Sequence, residues 1–142
     1  MAVRKGSAEW WGDLKSGKGK LSSETGVLNN ISYDAASRFE TGITTNPEEL
    51  LGAAHAACYS MALANALSKE GFKVNSIKTV DDIHLYKTDA GFTITKIIIH
   101  TEGKVDGIDE AAFKKHAEAT KSGCPVSRAL KAVDMELDAR LV

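Results

Sequence analysis

The stretch "NPEELLGAAHAACYSMALANAL", residues 46–67, combines the start signals of a helix with a long uncharged run. Asn46 is a typical N-cap residue, Pro47 suits the first helical position, and two glutamates follow in the first turn. The next 18 residues, from Leu50 to Leu67, contain no Lys, Arg, Asp or Glu. The pattern predicts a long helix that begins at Pro47 and has no charged face.

This predicted helix runs to about Lys69, and Gly71 is the residue expected to end it. The uncharged run lies at the lower edge of transmembrane length. Its polar residues and many alanines make it weakly hydrophobic for a helix facing lipid. In a soluble protein, a helix that is apolar all round is usually buried on most sides. We therefore expect a central core helix, partly covered by a second subunit.

Length and composition indicate an ordinary globular protein. With 142 residues the chain can bury a sizeable core but is too short for two ordinary domains, so a single domain over residues 1–142 is predicted. The net charge is −1, with no block of like charges, which argues against nucleic acid and membranes as partners. Without an apolar N-terminal segment or a disulfide scaffold, a cytoplasmic location is expected.

Strand patterns occupy both ends of the chain and its centre. Two short strands and a strand-like piece precede the long helix, at residues 5–12, 18–25 and 31–33. After it, two long strands flank "KTDAG", a hairpin turn that ends in glycine. The C-terminal "VDMELDARL" alternates apolar and polar residues, as a one-sided strand does.

Two further helices complete the predicted order of elements. One spans about Asp109 to Lys121, and a short one in "SGCPVSRALKA" has Pro125 at its first position. Together these patterns predict an α+β protein with a largely antiparallel sheet packed on a long buried central helix.

The two cysteines are the candidate reactive groups. Cys58 lies in the uncharged helix, where a free cysteine packs as a small hydrophobe and burial raises its pKa. Cys124 falls at the N-cap of the short helix, where unpaired N–H groups and the helix dipole favour an anion. Local sequence therefore favours Cys124 as the more acidic thiol, and a simple capping cysteine is the alternative.

Other chemical signals are weaker. His55 lies one turn before Cys58, which permits a Cys–His pair, but a hydrogen-bonded core histidine is more common. The four histidines show no zinc-ligand spacing, and no metal or organic cofactor is expected. The aromatic residues Trp10, Trp11, Tyr33 and Phe39 fit an apolar pocket, although core or interface packing is the more common use.

Two motifs, "TNPEELLGAAHAACYSMAL" and "SGCPVSRAL", resemble the OsmC branch of the OsmC/Ohr family of thiol-dependent hydroperoxide reductases. The likeness covers nearly the whole chain and includes "AEWWGDLKSGKG", "SRFE" and "DAGFTITKI". The resemblance implies an OsmC/Ohr-like intertwined homodimer.

The resemblance also implies roles for four residues. Cys58 would be the peroxidatic thiolate and Cys124 the resolving thiol. Arg38 would hold the thiolate and orient the peroxide, and Glu48 would pair with Arg38. These assignments reverse the local ranking of the thiols, because Arg38 would supply the cation that Cys58 lacks. A low pKa alone does not select the peroxidatic sulfur.

The implied activity is reduction of organic hydroperoxides to alcohols, which would protect the cell under stress. The intermediates would be a Cys58 sulfenic acid and a Cys58–Cys124 disulfide, which a dithiol, lipoyl-type in the family, would reduce. Two alternatives remain open. One is a thiol redox sensor or interaction module without significant turnover, and the other is a small-molecule binding dimer whose cysteines only pack.

The spacing of Glu48 and Cys58 raises a geometric question. Ten residues of helix correspond to a rise of roughly 15 Å and a rotation of about 280°, so the two side chains cannot share a site through direct contact on one straight helix. Either Arg38 bridges the gap or Glu48 acts on the thiol of another subunit. We hypothesise that the site is built across a dimer interface.

Overall fold

The computed structural model describes residues 1–142, which divide into two compact units, Met1–Leu50 and Leu51–Val142. The strands are β1 (Gly6–Trp11), β2 (Lys18–Ser23), β3 (Ile31–Tyr33), β4 (Lys73–Thr88), β5 (Gly91–Asp106) and β6 (Asp134–Leu141). The helices are α1 (Ala35–Phe39), α2 (Pro47–Lys69), α3 (Glu110–Gly123) and α4 (Pro125–Ala129).

The first unit holds a three-stranded antiparallel sheet in the order β1-β2-β3. Gly19 of β2 lies opposite Tyr33 of β3, and a Cβ on Gly19 would fall 2.3 Å from the tyrosine ring, so this position requires glycine. Helix α1 follows, capped by the Asp34 carboxylate, which accepts a hydrogen bond from the Ser37 N–H at 2.8 Å. The three strands were predicted, whereas α1 was not, because five residues are too few to show a helical period.

The second unit is built on β4 and β5, two strands of 16 residues each that pair antiparallel as the predicted hairpin. Gly91 begins β5 with φ +101°, the left-handed conformation expected of the turn glycine. Strand β6 pairs with β5 in parallel, and α3 and α4 form the connection between them. The alternating pattern predicted the strand β6 but gave no information about its neighbour.

Helix α2 has the boundaries that the sequence predicts. It begins at Pro47, and the Asn46 side chain caps it by accepting a hydrogen bond from the Glu49 N–H at 2.8 Å. It ends at Lys69, and Gly71 follows with φ +90°.

Within the second unit, one face of α2 is buried in the core. The buried positions recur every three or four residues, as expected for one face of a helix: Gly52, His55, Tyr59, Leu63 and Leu67. The apolar side chains among them share a core cluster with Ile97 and Ile99 of β5. On another face, Met61 is 75% exposed. A single chain therefore buries one stripe of this uncharged helix.

By length and composition α2 also qualifies as a membrane-spanning helix, and 28% of its most apolar 18-residue stretch is buried. The core helix of a soluble protein meets the same criteria, so this property has little weight. Its packed face carries His55, whose ring hydrogen-bonds to Asp81 of β4. A buried histidine with a carboxylate partner is typical of a helix packed inside a protein.

The predicted α+β class is confirmed, and three of the four strand pairs are antiparallel. The strands form two three-stranded sheets, one in each unit. The single domain over residues 1–142 and the homodimer stay predictions.

Candidate active site

The two thiols lie on different helices of the second unit. Cys58 is half-buried on α2, and Cys124 is fully buried at the N-cap of α4, as its position before Pro125 predicted. The Cys124 Sγ accepts a hydrogen bond from the Ser127 N–H at 3.2 Å. Both cysteines are free thiols, and each lies near enough to the other to shift its pKa.

Cys58 opens onto a cavity of about 800 Å³ between α2 and the C-terminal end of α3. Most of its lining is apolar or small, and Arg128 and His116 are its basic side chains. The other lining residues are Met61, Ala62, Asn65, Ala66, Ala119, Thr120, Gly123 and Pro125. A small molecule with an apolar tail can therefore approach the Cys58 side chain.

Behind Cys124 lies a continuous chain of hydrogen bonds. The Ser127 Oγ is 3.0 Å from the Cys124 Sγ and 2.8 Å from the His55 Nε2. The His55 Nδ1 is 2.5 Å from the Asp81 Oδ2. The side chains of His55 and Asp81 are fully buried. Both ring nitrogens of His55 are thus engaged, and the Cys58–His55 pair that the sequence permitted does not form.

These surroundings shift the pKa values of the two thiols in opposite directions. Burial raises the pKa of Cys58, and no cationic side chain is among the groups that act on it. Burial also opposes ionisation of Cys124, but hydrogen bonds from Ser127, the neighbouring Cys58 and the charge of His55 lower the pKa of Cys124 below its usual value. The local interpretation of the sequence, in which Cys124 is the more acidic thiol, agrees with this result.

The His55 imidazole is correspondingly easy to protonate. Burial alone would lower the pKa of His55, but the hydrogen bond that His55 donates to Asp81 and the negative charge of Asp81 outweigh burial and raise it. The second carboxylate oxygen, Asp81 Oδ1, is buried without a hydrogen-bond partner. His55 is the ion-pair partner of the Asp81 carboxylate.

The first unit contains the ion pair that the family resemblance implies. The Arg38 guanidinium donates to Glu48 through Nε, 3.0 Å from Oε1 and 3.2 Å from Oε2, and through Nη2, 2.8 Å from Oε1. The Glu48 side chain is 10% exposed and that of Arg38 is 36% exposed. Arg38 also lines a cavity of about 290 Å³ with Trp10 and Tyr33. The guanidinium is therefore fixed in direction but still accessible.

Residues 40–138 match the family model described as OsmC-like protein. The chain belongs to the OsmC-like protein family. It is 52% identical over 138 residues to Peroxiredoxin OsmC of Escherichia coli K12, an alignment that covers 97% of this chain and 96% of that protein. It is 29% identical over 126 residues to the organic hydroperoxide resistance protein OhrB of Bacillus subtilis, covering 84% and 88% of the two chains.

The fold of the family is also found among solved structures. The crystal structure of Bacillus subtilis OhrB superimposes with a TM-score of 0.74 at 24% identity, covering 95% of this chain and 97% of that one. An OsmC-like protein from Mycoplasma pneumoniae gives a TM-score of 0.75 at 18% identity, covering 99% and 98%. These likenesses confirm the OsmC/Ohr fold that the motifs implied.

Sequence reasoning missed two residues of the site, Ser127 and Asp81. Ser127 had a detectable signal, because it lies three residues after the capping Cys124, the spacing at which a helix cap meets its partner. Asp81 had none, since its contact with His55 joins residues 26 positions apart and depends on how β4 faces α2. No group of three or more His, Cys, Asp or Glu side chains is arranged to hold a metal ion.

Replacing Ser127 with alanine removes the hydroxyl beside the Cys124 Sγ and is expected to raise the pKa of Cys124 by about one to two units. A hydrogen bond to a charged group contributes roughly 1.5–3 kcal/mol, and about 1.4 kcal/mol corresponds to one unit. The measurement is thiolate ultraviolet absorbance against pH in a Cys58→Ser background. Ser122→Ala, at the exposed end of α3, is the control. An unchanged titration in Ser127→Ala would contradict the assigned hydrogen bond.

Proposed function

We propose that the protein is a cysteine-based peroxidase that reduces organic hydroperoxides to alcohols, with Cys58 as the peroxidatic and Cys124 as the resolving thiol. The observation that carries the proposal is a pair of neighbouring free thiols with opposite pKa shifts. The more exposed thiol faces a largely apolar cavity. The 52% identity to a peroxiredoxin supports the same reaction class.

In the first step, the Cys58 thiolate attacks the distal oxygen of the hydroperoxide. The O–O bond breaks, the alkoxide takes up a proton and leaves as an alcohol, and Cys58 becomes a sulfenic acid. The step needs a cation, because burial raises the pKa of Cys58 and negative charge develops on the leaving oxygen. Arg38 is proposed to supply it, and the three hydrogen bonds to Glu48 would orient its guanidinium.

In the second step, the Cys124 sulfur attacks the Cys58 sulfenic acid, giving a Cys58–Cys124 disulfide and water. A dithiol then restores both thiols by exchange. A lipoyl-type dithiol is the reductant that the family resemblance implies. The buried Cys124 suits the resolving role, since it is shielded from solvent oxidants and the hydrogen bonds from Ser127 favour its thiolate form.

The cavity beside Cys58 supports a preference for organic hydroperoxides over hydrogen peroxide. Its small and apolar lining, including Met61 and Ala62, would gain free energy by covering an alkyl or aryl group, roughly 25 cal/mol per Å² of apolar surface. Hydrogen peroxide has no such group to bury.

The proposed assembly is a homodimer in the cytoplasm. The uncharged helix α2 buries one stripe of its surface in a single chain, which supports a second copy as the cover of its remaining faces. In such a dimer the Arg38–Glu48 pair of one subunit would act on Cys58 of the other. The helical spacing of Glu48 and Cys58 supports this arrangement, because it keeps the two side chains of one chain from direct contact.

Turnover of cumene hydroperoxide with a dithiol tests the reaction class. Wild type is expected to turn over many times and to show a higher kcat/KM for cumene hydroperoxide than for hydrogen peroxide. Cys58→Ser is expected to fall to background, because it lacks the attacking sulfur. Cys124→Ser is expected to be oxidised once without forming an intramolecular disulfide.

The same experiment separates the alternative functions. If the wild-type protein forms the disulfide but does not turn over rapidly many times, the result would favour a thiol redox sensor over a peroxidase. Full activity in both cysteine variants would show that the cysteines serve only for packing, and it would contradict the proposal.

Mixed dimers test whether the site crosses the subunit interface. Subunits carrying Arg38→Met and subunits carrying Cys58→Ser are each expected to be inactive alone. When they are co-expressed, one site per mixed dimer regains both Arg38 and Cys58, so about half of the wild-type activity per mixed dimer is expected. Arg140→Met, which removes an exposed arginine paired with Asp138, is the control and should stay active.

An absence of complementation would place Arg38 and Cys58 of the same chain in one site. Analytical ultracentrifugation of the same samples gives the assembly state. A fully active monomer would contradict the proposed dimer.

A further inference from the structure

The hydrogen-bond chain behind Cys124 joins three elements of the second unit to the cap residue between α3 and α4. His55 comes from α2, Asp81 from β4 and Ser127 from α4, while Cys124 forms the cap between α3 and α4. The distances along the chain are 2.5, 2.8 and 3.0 Å. Burying a carboxylate and an imidazole costs free energy unless each group has a hydrogen-bond partner. The contacts along this hydrogen-bond chain supply those partners.

The hydrogen-bond chain can hold the mobile proton on Cys124 or on His55, and it keeps all of its hydrogen bonds in both states. With a neutral Cys124, its S–H donates to the Ser127 Oγ, the Ser127 O–H donates to the His55 Nε2, and the His55 Nδ1–H donates to Asp81. With a Cys124 thiolate, the Ser127 O–H donates to the sulfur and the protonated His55 Nε2 donates to the Ser127 Oγ. Ser127 is one donor and one acceptor in both states, as a hydroxyl permits.

We propose that Asp81, His55 and Ser127 form a proton relay that deprotonates Cys124 and so prepares it to resolve the Cys58 sulfenic acid. The inference rests on the peroxidase function proposed above and adds three positioning residues to it. His55 is the proton acceptor, Ser127 passes the proton, and Asp81 stabilises the resulting imidazolium, as a carboxylate does for the histidine of a serine protease.

The resolving step balances through this relay. The Cys124 proton moves to Ser127 as the Ser127 proton moves to the His55 Nε2. The Cys124 thiolate then forms the S–S bond while the S–O bond of the Cys58 sulfenic acid breaks. The Cys124 sulfur is oxidised, the Cys58 sulfur is reduced, and the hydroxide that leaves takes up a proton. The return of His55 to its neutral form releases one proton, so the net product is one water.

The electrostatic surroundings agree with this direction of proton transfer. Asp81 raises the pKa of His55, and Ser127 and His55 lower the pKa of Cys124. The neighbouring Tyr59 ring lies with its centroid 6.4 Å from that of His55. Burial, with Glu118 and Asp81 nearby, raises the pKa of Tyr59, so the phenol stays neutral and does not compete for the proton.

Thiolate absorbance against pH tests the relay directly. In a Cys58→Ser background, where Cys124 is the remaining cysteine, His55→Gln keeps an amide that can hydrogen-bond but cannot take up a proton. We expect this change to raise the pKa of Cys124 by about one unit or more. Asp81→Asn is expected to raise it as well, since the imidazolium loses its counter-charge. The control is His100→Gln, which removes a histidine paired with Asp82 and Asp138 on the exposed side of the sheet.

A rate measurement separates proton relay from a structural role. In chains with both cysteines, one equivalent of hydroperoxide is added and samples are quenched over time. Disulfide formation is expected to slow on the order of 100-fold in His55→Gln, the scale of a lost general base, while Cys58 oxidation keeps its wild-type rate. A purely structural role would lower the free energy of unfolding without moving the Cys124 titration.

Three outcomes would overturn the proposal. They are an unchanged Cys124 pKa in folded His55→Gln, an unchanged rate of disulfide formation, and a loss of Cys58 oxidation itself. If His55→Gln does not fold, the near-isosteric Asp81→Asn gives the same tests. If wild type reduces no hydroperoxide, the peroxidase function fails, whereas the Cys124 titration still tests the relay.

Discussion

The burial of His55 on the packed face of α2 is the constraint on which the site depends. An imidazole at a fully buried position needs a partner for each ring nitrogen, and the chain supplies Asp81 from β4 and Ser127 from α4. These two contacts tie the helix to the sheet on one side and to the Cys124 turn on the other. The position of Cys124 is thus set by the same interaction that satisfies a polar residue in the core.

The two thiols differ because their surroundings differ. Cys124 is enclosed, caps a helix and lies two hydrogen bonds away from the His55 imidazole. Cys58 opens onto a cavity, and nothing cationic acts on its pKa within the second unit. The proposed cycle uses both properties: the accessible Cys58 sulfur attacks the hydroperoxide, and the enclosed Cys124 sulfur attacks the resulting sulfenic acid. In that cycle, the proposed role of Arg38 is to supply the cation that Cys58 lacks.

Much of the fold was predictable because its signals are local. Asn46, Pro47 and Gly71 fix the ends of α2 through capping and backbone conformation, and Gly91 marks the turn of the long hairpin. The direction of the Cys124 pKa shift was also predictable, since the N-cap position places the Ser127 N–H beside the sulfur; the Ser127 hydroxyl and His55 add to the same shift.

The features that escaped prediction depend on contacts between distant parts of the chain. His55 meets Ser127 across 72 residues, and Asp81 faces the helix only because of the register of β4. The parallel partner of β6 is likewise a matter of packing that an alternating pattern does not encode. The role proposed for Arg38 rests on family resemblance, because no local rule links an arginine in a five-residue helix to a distant thiol.

We propose that Cys58 reacts with the hydroperoxide although Cys124 is the more acidic thiol. The most direct measurement is mass spectrometry of protein treated with one equivalent of cumene hydroperoxide and the sulfenic-acid trap dimedone, in wild type and in each cysteine variant. We expect a dimedone adduct on Cys58 that accumulates in Cys124→Ser. An adduct on Cys124, with turnover retained in Cys58→Ser, would contradict it.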